Sequence, residues 1–424
     1  MKLNYGKTFL LGFGFFGVSV IWGVYNAFVP VFLAEKFNLD VRWIGFFMTL
    51  DNIAALLIQP PVGAWSDRLR TPLGRRLPFI LVGAPVAAIA FGFIPLAGVL
   101  PLFVACSSTL LISMAFWRTP VVALMPDITP SPYRSQANGV INFMGGVGSI
   151  ISFLGGSALY KMNPAFPFWL GSLLVVVAAL LVLFFVREPK VYDEHEQTPG
   201  LYSSLVTVLQ EEDKSALRVL LAIFFWFLGY NAVEAFFNLY VIHHLGLGAA
   251  DGARLLGQLS LLFVLFALPA GYIGGRIGRR VTILSGLVLM TGVLVVMYAL
   301  QPTVLTTPLT KLHLVGVVPV IGLLLMAGGV AWALININSL PMVVDMTSAA
   351  QIGTYTGLYY LFSTLAAIAG PNVNGWLIKA AGDNYNITLL ASPIFMFVAI
   401  LFILRARRGE AVVNAPTGMT GISL

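Results

Sequence analysis

Gly63-Ala64-Trp65-Ser66-Asp67-Arg68, leading to Gly74-Arg75-Arg76, and Gly271-Tyr272-Ile273-Gly274-Gly275-Arg276, leading to Gly278-Arg279-Arg280, are two versions of one device. Each closes a long apolar run with small residues and then turns on a glycine into paired arginines. A chain that repeats such a loop between apolar runs reads as a duplicated membrane protein.

Composition supports that reading. The 424 residues are 58% hydrophobic and 10% charged, with mean hydropathy +0.91. That leaves too little polar surface to cover a water-soluble core of this size. A membrane-spanning helix needs roughly 20 apolar residues and satisfies its own backbone hydrogen bonds. Twelve runs meet that length. In the first half they cover residues 9–33, 43–65, 78–97, 102–125, 137–160 and 166–186. In the second half they cover residues 217–241, 255–274, 281–300, 314–343, 351–378 and 388–404. They are called spans 1 to 12 below. The expected fold is an all-α membrane protein whose twelve transmembrane helices form two pseudo-symmetric six-helix bundles, residues 1–186 and 216–408. The acidic and basic stretch 187–215 is the expected cytoplasmic linker, with a surface helix over 201–208, and residues 409–424 read as a disordered tail.

The formal charge of +7 does not point to nucleic acid, because the basic residues are scattered over short loops. Orientation explains them. With both termini cytoplasmic, 17 Lys and Arg fall inside, 6 outside and 1 within a span, which accounts for all 24. This is the positive-inside bias of a multi-pass protein of the cell membrane. The first apolar run is long enough to span, so no removable signal peptide is expected. Cys106 is the single cysteine, which excludes an intramolecular disulfide. No phosphate-cradling lysine loop and no pair of metal-spaced histidines is present, so neither an enzyme nor a cofactor is expected.

The duplication extends into the spans. Tyr25-Asn26-Ala27 in span 1 recurs as Tyr230-Asn231-Ala232 in span 7, an offset of 205. Asp127 precedes Gly139 by twelve residues, and Asp345 precedes Gly357 by twelve. Two parallel repeats imply an axis along the membrane normal, with solute bound near the midplane between them.

On these motifs the chain resembles the major facilitator superfamily throughout. Gln59-Pro60-Pro61-Val62-Gly63-Ala64-Trp65-Ser66-Asp67, followed by Gly74 to Leu81, resembles the sucrose transporter branch of the glycoside, pentoside and hexuronide cation symporters. Ala123-Leu124-Met125-Pro126-Asp127 matches a second segment of that branch. The resemblance implies a secondary active transporter of a sugar or glycoside. It also implies gating by the loop residues Asp67, Arg68, Arg75 and Arg76, together with Asp127 and Arg134. There are departures. The branch's arginine falls on Val122, with Arg118 one turn earlier, and the carboxylates of sodium-coupled relatives fall on Ala55 and Gln59, so the proton is the expected coupling ion.

Ionisable groups inside a bilayer are costly and usually face protein or a wet path. Asp51, Arg118 and Glu234 are the three such groups here. Glu234 is the first candidate for proton coupling and Asp51 the second; no direct bridge from Asp51 to Arg118 is expected. Trp226, Tyr230, Glu234 and Asn238 recur every four residues and so share one face of span 7. With Trp22, Tyr25, Asn26, Arg118, Asn138, Asn142, Asn231, Trp332, Asn336, Tyr355 and Tyr359 they are the candidate solute contacts. Aromatic faces suit the C–H patches of a sugar, and amides match its hydroxyls. The glycines Gly145, Gly146 and Gly148 are expected to bring span 5 close to a neighbour. The partners implied are a small solute, preferably a sugar, and the lipid bilayer, with a monomer as the working unit. Rival readings are a proton-driven exporter of amphipathic or anionic compounds, and a membrane sensor or scaffold that transports nothing.

Overall fold

The computed structural model describes residues 5–129, 134–186, 188, 201–210, 213–347 and 351–406. Eleven of its helices are long and apolar enough to cross a membrane. The remaining one, span 11, is Ile352–Ala380, which has 29 residues but is more polar, carrying Thr354, Thr356, Ser363, Asn372 and Asn374. Span 1 is Tyr5–Val31 with a π-helical end, Phe32–Lys36. Span 2 is broken after Phe47 into Val41–Phe47 and Leu50–Arg68. Spans 3, 4 and 6 are Leu77–Phe93, Leu100–Ile128 and Phe166–Phe185, each with proline in its first turn, where the missing N–H costs nothing. Span 5 runs from Arg134 to Met162 through a π-helical stretch, Ile151–Gly155. Spans 7, 8 and 9 are Ser215–His243, Ala249–Ile277 and Arg279–Ala299, and spans 10 and 12 are Val320–Val344 and Ile387–Arg405.

Two expectations change. Span 10 begins at Val320 rather than residue 314, because the residues before it form a two-stranded antiparallel hairpin, Pro308–Leu312 with Gly316–Pro319. Gln258 of span 8 holds this hairpin by donating to the carbonyls of Val315 and Val317. The surface helix before span 7 extends to Gln210. The tail from residue 407 and most of the stretch 187–200 lie outside the described residues.

Close helix packing rests on glycines whose added Cβ would strike a neighbouring backbone. A Cβ at Gly148 would lie 2.6 Å from the Phe16 carbonyl oxygen, joining span 5 to span 1. A Cβ at Gly370 would lie 2.6 Å from the Leu228 carbonyl oxygen, joining span 11 to span 7, the equivalent pair of the second repeat. Small residues let helices approach where lipid supplies no hydrophobic drive for association.

The two halves are bolted together at the end away from the termini. Span 2 meets span 11 where Gly45 faces the Pro371 carbonyl and Asn372 Nδ2 donates to Thr49 Oγ1 at 3.2 Å. Span 5 meets span 8 where Ser157 Oγ donates to the Ala250 carbonyl at 2.6 Å and Lys161 pairs with Asp251 at 3.1 Å. His243 Nε2 lies 3.0 Å from Glu35, Lys379 lies 3.4 Å from Asp40, and the Arg42 guanidinium covers the Trp376 ring at 4.9 Å. Towards the termini spans 5 and 8 still touch at Gly146 and Val264, but beyond that point Asn142 and Phe143 are exposed and Leu268 is 80% exposed. The far end is sealed.

Asp40 also caps span 2 by accepting from the Arg42 backbone N–H at 2.9 Å. The side-chain hydrogen bond from Arg42 holds its carboxyl well below the usual carboxylate range. A depressed acid stabilises the fold at pH above its ordinary value of about 4, and that contribution is lost as pH falls through the lowered value. Asp40→Asn, which keeps an N-cap acceptor but removes the charge paired with Arg42 and Lys379, is therefore expected to cost about 0.2–1 kcal/mol at pH 7, with the difference from wild type shrinking in strong acid. Thermal melting across pH checks this. Packing is tested by Gly329→Ala, whose methyl would lie 2.2 Å from the Leu259 carbonyl oxygen. A loss of about 1–3 kcal/mol is expected, while Gly275→Ala, where a methyl meets nothing within 4 Å, melts as wild type.

Candidate functional site

Span 7 carries half of the candidate stripe, Tyr230 and Glu234, into the space between the halves. Glu234 is half-buried and accepts a hydrogen bond from Asn26 Nδ2 of span 1 at 3.3 Å. One turn earlier, the Tyr230 ring stacks on Trp332 of span 10 with centroids 3.7 Å apart and planes within 5°. Phe227 meets Trp332 edge-on at 5.4 Å and approaches Tyr359 of span 11. Tyr359 shares a hydrogen bond with Ser339 at 3.0 Å, and Ser339 in turn donates to the Asn336 carbonyl. Trp22 and Asn26 of the first half and Tyr230, Asn231, Glu234 and Asn336 of the second are all partly exposed.

Other candidates are placed differently. Trp226 has 0% exposure and lies in the core of the second half, because the four-residue spacing drifts around a 3.6-residue helix. Tyr355 is likewise buried. Asn238 belongs to the seal: its Nδ2 donates to the Ala27 carbonyl at 2.6 Å, and its Oδ1 lies so close to Gly252 that a Cβ there would be 1.8 Å away. The Asn231 amide donates back to Phe227 of its own helix. Tyr25 is buried edge-on to Trp22, and among the described residues its hydroxyl has no hydrogen-bond partner. Asn142 is exposed on span 5. The side chains of Asn138 and Arg134 lie outside the described residues.

Asp51 and Arg118 are both partly exposed, and among the described residues no ion pair within 4 Å joins them. Asp51 accepts from Asn52 Nδ2 at 2.8 Å. Arg118 sits within electrostatic reach of Asp51 on span 2 of its own half and of Tyr360 on span 11 of the other. Tyr360 was not a candidate from the sequence. Nothing in its spacing separates it from its neighbour Tyr359.

The paired-arginine loop is built as a charge cluster. Arg75 Nη2 lies 2.6 Å from Asp127 Oδ1, and Arg76 Nε lies 3.0 Å from Asp127 Oδ2. Arg76 also binds Asp67 and Ser66. Both arginines are buried and Arg68 is exposed. Glu188, just beyond span 6, accepts from the backbone N–H groups of Arg75, Arg76 and Leu77 at 2.8, 2.8 and 2.7 Å. It occupies the positive N-terminus of span 3. Gly74 is obligatory there, with φ +112° and a Cβ position 2.5 Å from the Glu188 carboxyl carbon. The second copy lacks Asp67, having Gly275 in its place, yet it is not unlocked: Arg279 pairs with Asp345 at 2.7 Å and Arg280 holds the carbonyls of Ile403 and Leu404.

Twelve spans around a polar path between two repeats define a membrane transporter. The family model of the Major Facilitator Superfamily matches residues 11–371 and 259–423, and the chain belongs to that superfamily. It is 24% identical over 253 residues to multidrug resistance protein 1 of Bacillus subtilis (strain 168), covering 59% of this chain and 62% of that one. It is 28% identical over 174 residues to a sucrose transport protein of Arabidopsis thaliana, covering 36% of this chain and 29% of that one. The chain thus spans less than two thirds of these curated relatives. Among solved structures, a bacterial homologue of the human lysosomal transporter Spinster, in an inward-facing and occupied conformation, has TM-score 0.72 at 14% identity, covering 96% of this chain and 97% of that one.

Removing one partner from a buried ion cluster typically costs about 3–5 kcal/mol. Asp127→Asn is accordingly expected to lower the melting temperature markedly in detergent. Asp67→Asn, whose carboxylate is 56% exposed, is expected to lower it little.

Proposed function

We propose that this chain moves a sugar or glycoside across the cell membrane together with a proton, by alternating access. Both termini face the cytoplasm, so the arrangement sealed at the far end is the inward-open one. The observation that carries this reading is the Asn26–Glu234 hydrogen bond, which sets the one carboxylate of span 7 at the junction of the two halves. A proton carrier needs contact with both sides in turn, and a group shared by the two moving bodies is suited to that. The stacked Tyr230–Trp332 pair supplies a flat apolar face for a pyranose ring, and Asn26 and Asn336 lie on the same path. The match to a sucrose transport protein agrees with this solute class. Asp67, Arg75, Arg76 and Asp127 hold spans 2, 3 and 4 together near the inner opening, where they brace it as it closes. The carrier works as a monomer.

A second reading rests on Arg118. Among the described residues its guanidinium has no hydrogen bond or ion pair within range, which leaves a fork for an anionic group on the solute. The match to a multidrug resistance protein agrees with export of a drug-like compound by the same machinery, and the free fork of Arg118 favours an anionic one.

Counterflow in proteoliposomes with radiolabelled glycosides, organic anions and organic cations separates the two readings. Under the first, glycosides exchange, and Glu234→Gln retains counterflow while losing at least ten-fold in accumulation driven by a pH gradient. Glycosides failing to exchange while anions do, with Arg118→Gln abolishing that exchange, would establish the second.

A further inference from the structure

The hairpin before span 10 has two unlike strands. Gly316–Pro319 is half-buried to buried, while every residue of Pro308–Leu312 is exposed. Leu309, Leu312 and Leu314 are 53, 46 and 69% exposed, and Lys311 and His313 among them are exposed too. In water, three bare leucines beside an unpaired strand edge would be an aggregation hazard. Their depth in the membrane explains them.

Depth follows from helix length. Gln258, fully buried on span 8, pins the hairpin through the Val315 and Val317 carbonyls at 3.2 and 2.8 Å. From Gln258 to Ile277, the last residue of span 8, the helix rises about 28 Å at 1.5 Å per residue. That nearly equals the roughly 30 Å of hydrocarbon in a bilayer, and Arg276 is the single charge within it. The next charges, Arg254 and Asp251, lie one and two turns beyond Gln258 towards the far end. Span 9 gives the same measure, because its 21 residues rise about 30 Å and bring Ala299 level with the far boundary. Tyr298, 39% exposed, stands there as an interfacial aromatic does. The hairpin therefore rests at the far surface of the hydrocarbon rather than above it.

We infer that the hairpin anchors the second half to the far leaflet, with Leu309, Leu312 and Leu314 set among phospholipid headgroups and upper acyl chains and Lys311 on the phosphates. Three observations select lipid as the occupant. The apolar surface continues that of span 9, which packs on spans 8, 10 and 12 of its own half and turns Val295 and Val296, 48 and 41% exposed, away from them. Among the described residues no ion pair takes Lys311, so its charge is left for an anion. An open sheet edge cannot stand in hydrocarbon, but at headgroup depth water and phosphate oxygens accept its N–H groups. The anchored helix is also one that seals the far end, since Ser157 and Lys161 of span 5 hold Ala250 and Asp251 of span 8. The anchor is the same whichever solute is carried.

The test is the accessibility of a spin label on the full-length protein in phosphatidylcholine nanodiscs. In a Cys106→Ser background the label is placed at Leu314→Cys, or at Leu309→Cys if the first variant does not fold, and for comparison at Ala381→Cys, exposed just past span 11. Collisions are measured with molecular oxygen, which partitions into lipid, and with a water-soluble nickel chelate. The oxygen-to-nickel ratio at the hairpin is expected to be at least three-fold that at Ala381→Cys. Lys311→Glu, which turns the charge against the phosphates, is expected to lower the hairpin ratio at least two-fold. A hairpin ratio equal to that at Ala381→Cys places the leucines in water and overturns the inference. Protection from both reagents in discs that hold two chains assigns the strand to a second copy and overturns it equally. A ratio that Lys311→Glu leaves unchanged overturns the phosphate contact.

Discussion

The bilayer offers no hydrogen bonds, and every polar side chain within a span must find a use inside the protein. That single constraint sorts this chain. Amides with a close neighbour become struts: Asn238 to Ala27, Asn338 to Ala270, Asn374 to Ala232 and Asn372 to Thr49. The polar groups left partly exposed, chiefly Glu234, Asp51 and Arg118, lie where the two repeats face one another. A wet path between bundles is the one mid-membrane place where such groups are tolerated without full pairing.

Glycine and amide work together in the second half. Asn238 rests on Gly252, Asn338 on Gly274 and Gln258 on Gly322, and in each case a Cβ would come within 2.2 Å of the amide oxygen. An amide carbonyl seated on a bare Cα forms a weak C–H···O contact, while its NH2 group is spent on a backbone carbonyl. Span 8 is thereby held to spans 7 and 10 by directional contacts. Such contacts favour a body that moves as a unit, which a rocking mechanism needs, over a body that deforms.

The two charged loops show how a duplication drifts without losing its physics. The first copy spends Asp127 on both Arg75 and Arg76, adds Asp67, and seats Glu188 on three backbone donors. The second copy keeps only the Arg279–Asp345 pair and a grip on the end of span 12. Glycines with positive φ, Gly74 and Gly278, make the turn in both. The shared element is an arginine just after that turn bound to an aspartate at the end of the span two helices later.

The sequence by itself determined the twelve spans, the duplication and the family, because apolar length and loop chemistry are local properties that the bilayer reads directly. It also marked Glu234, Asp51 and Arg118, since a charge inside an apolar run is conspicuous whatever the fold. Tertiary structure decided which stripe residues reach the path. Trp226 and Asn238 share the spacing of Glu234, yet one is core and the other seal, because helix phase and neighbouring glycines set where a side chain ends. The role of Glu188, the hairpin before span 10 and the Asn26 to Glu234 hydrogen bond were equally hidden. Each depends on groups brought together from distant parts of the chain, and the 208 residues between Asn26 and Glu234 carry no local trace of their meeting.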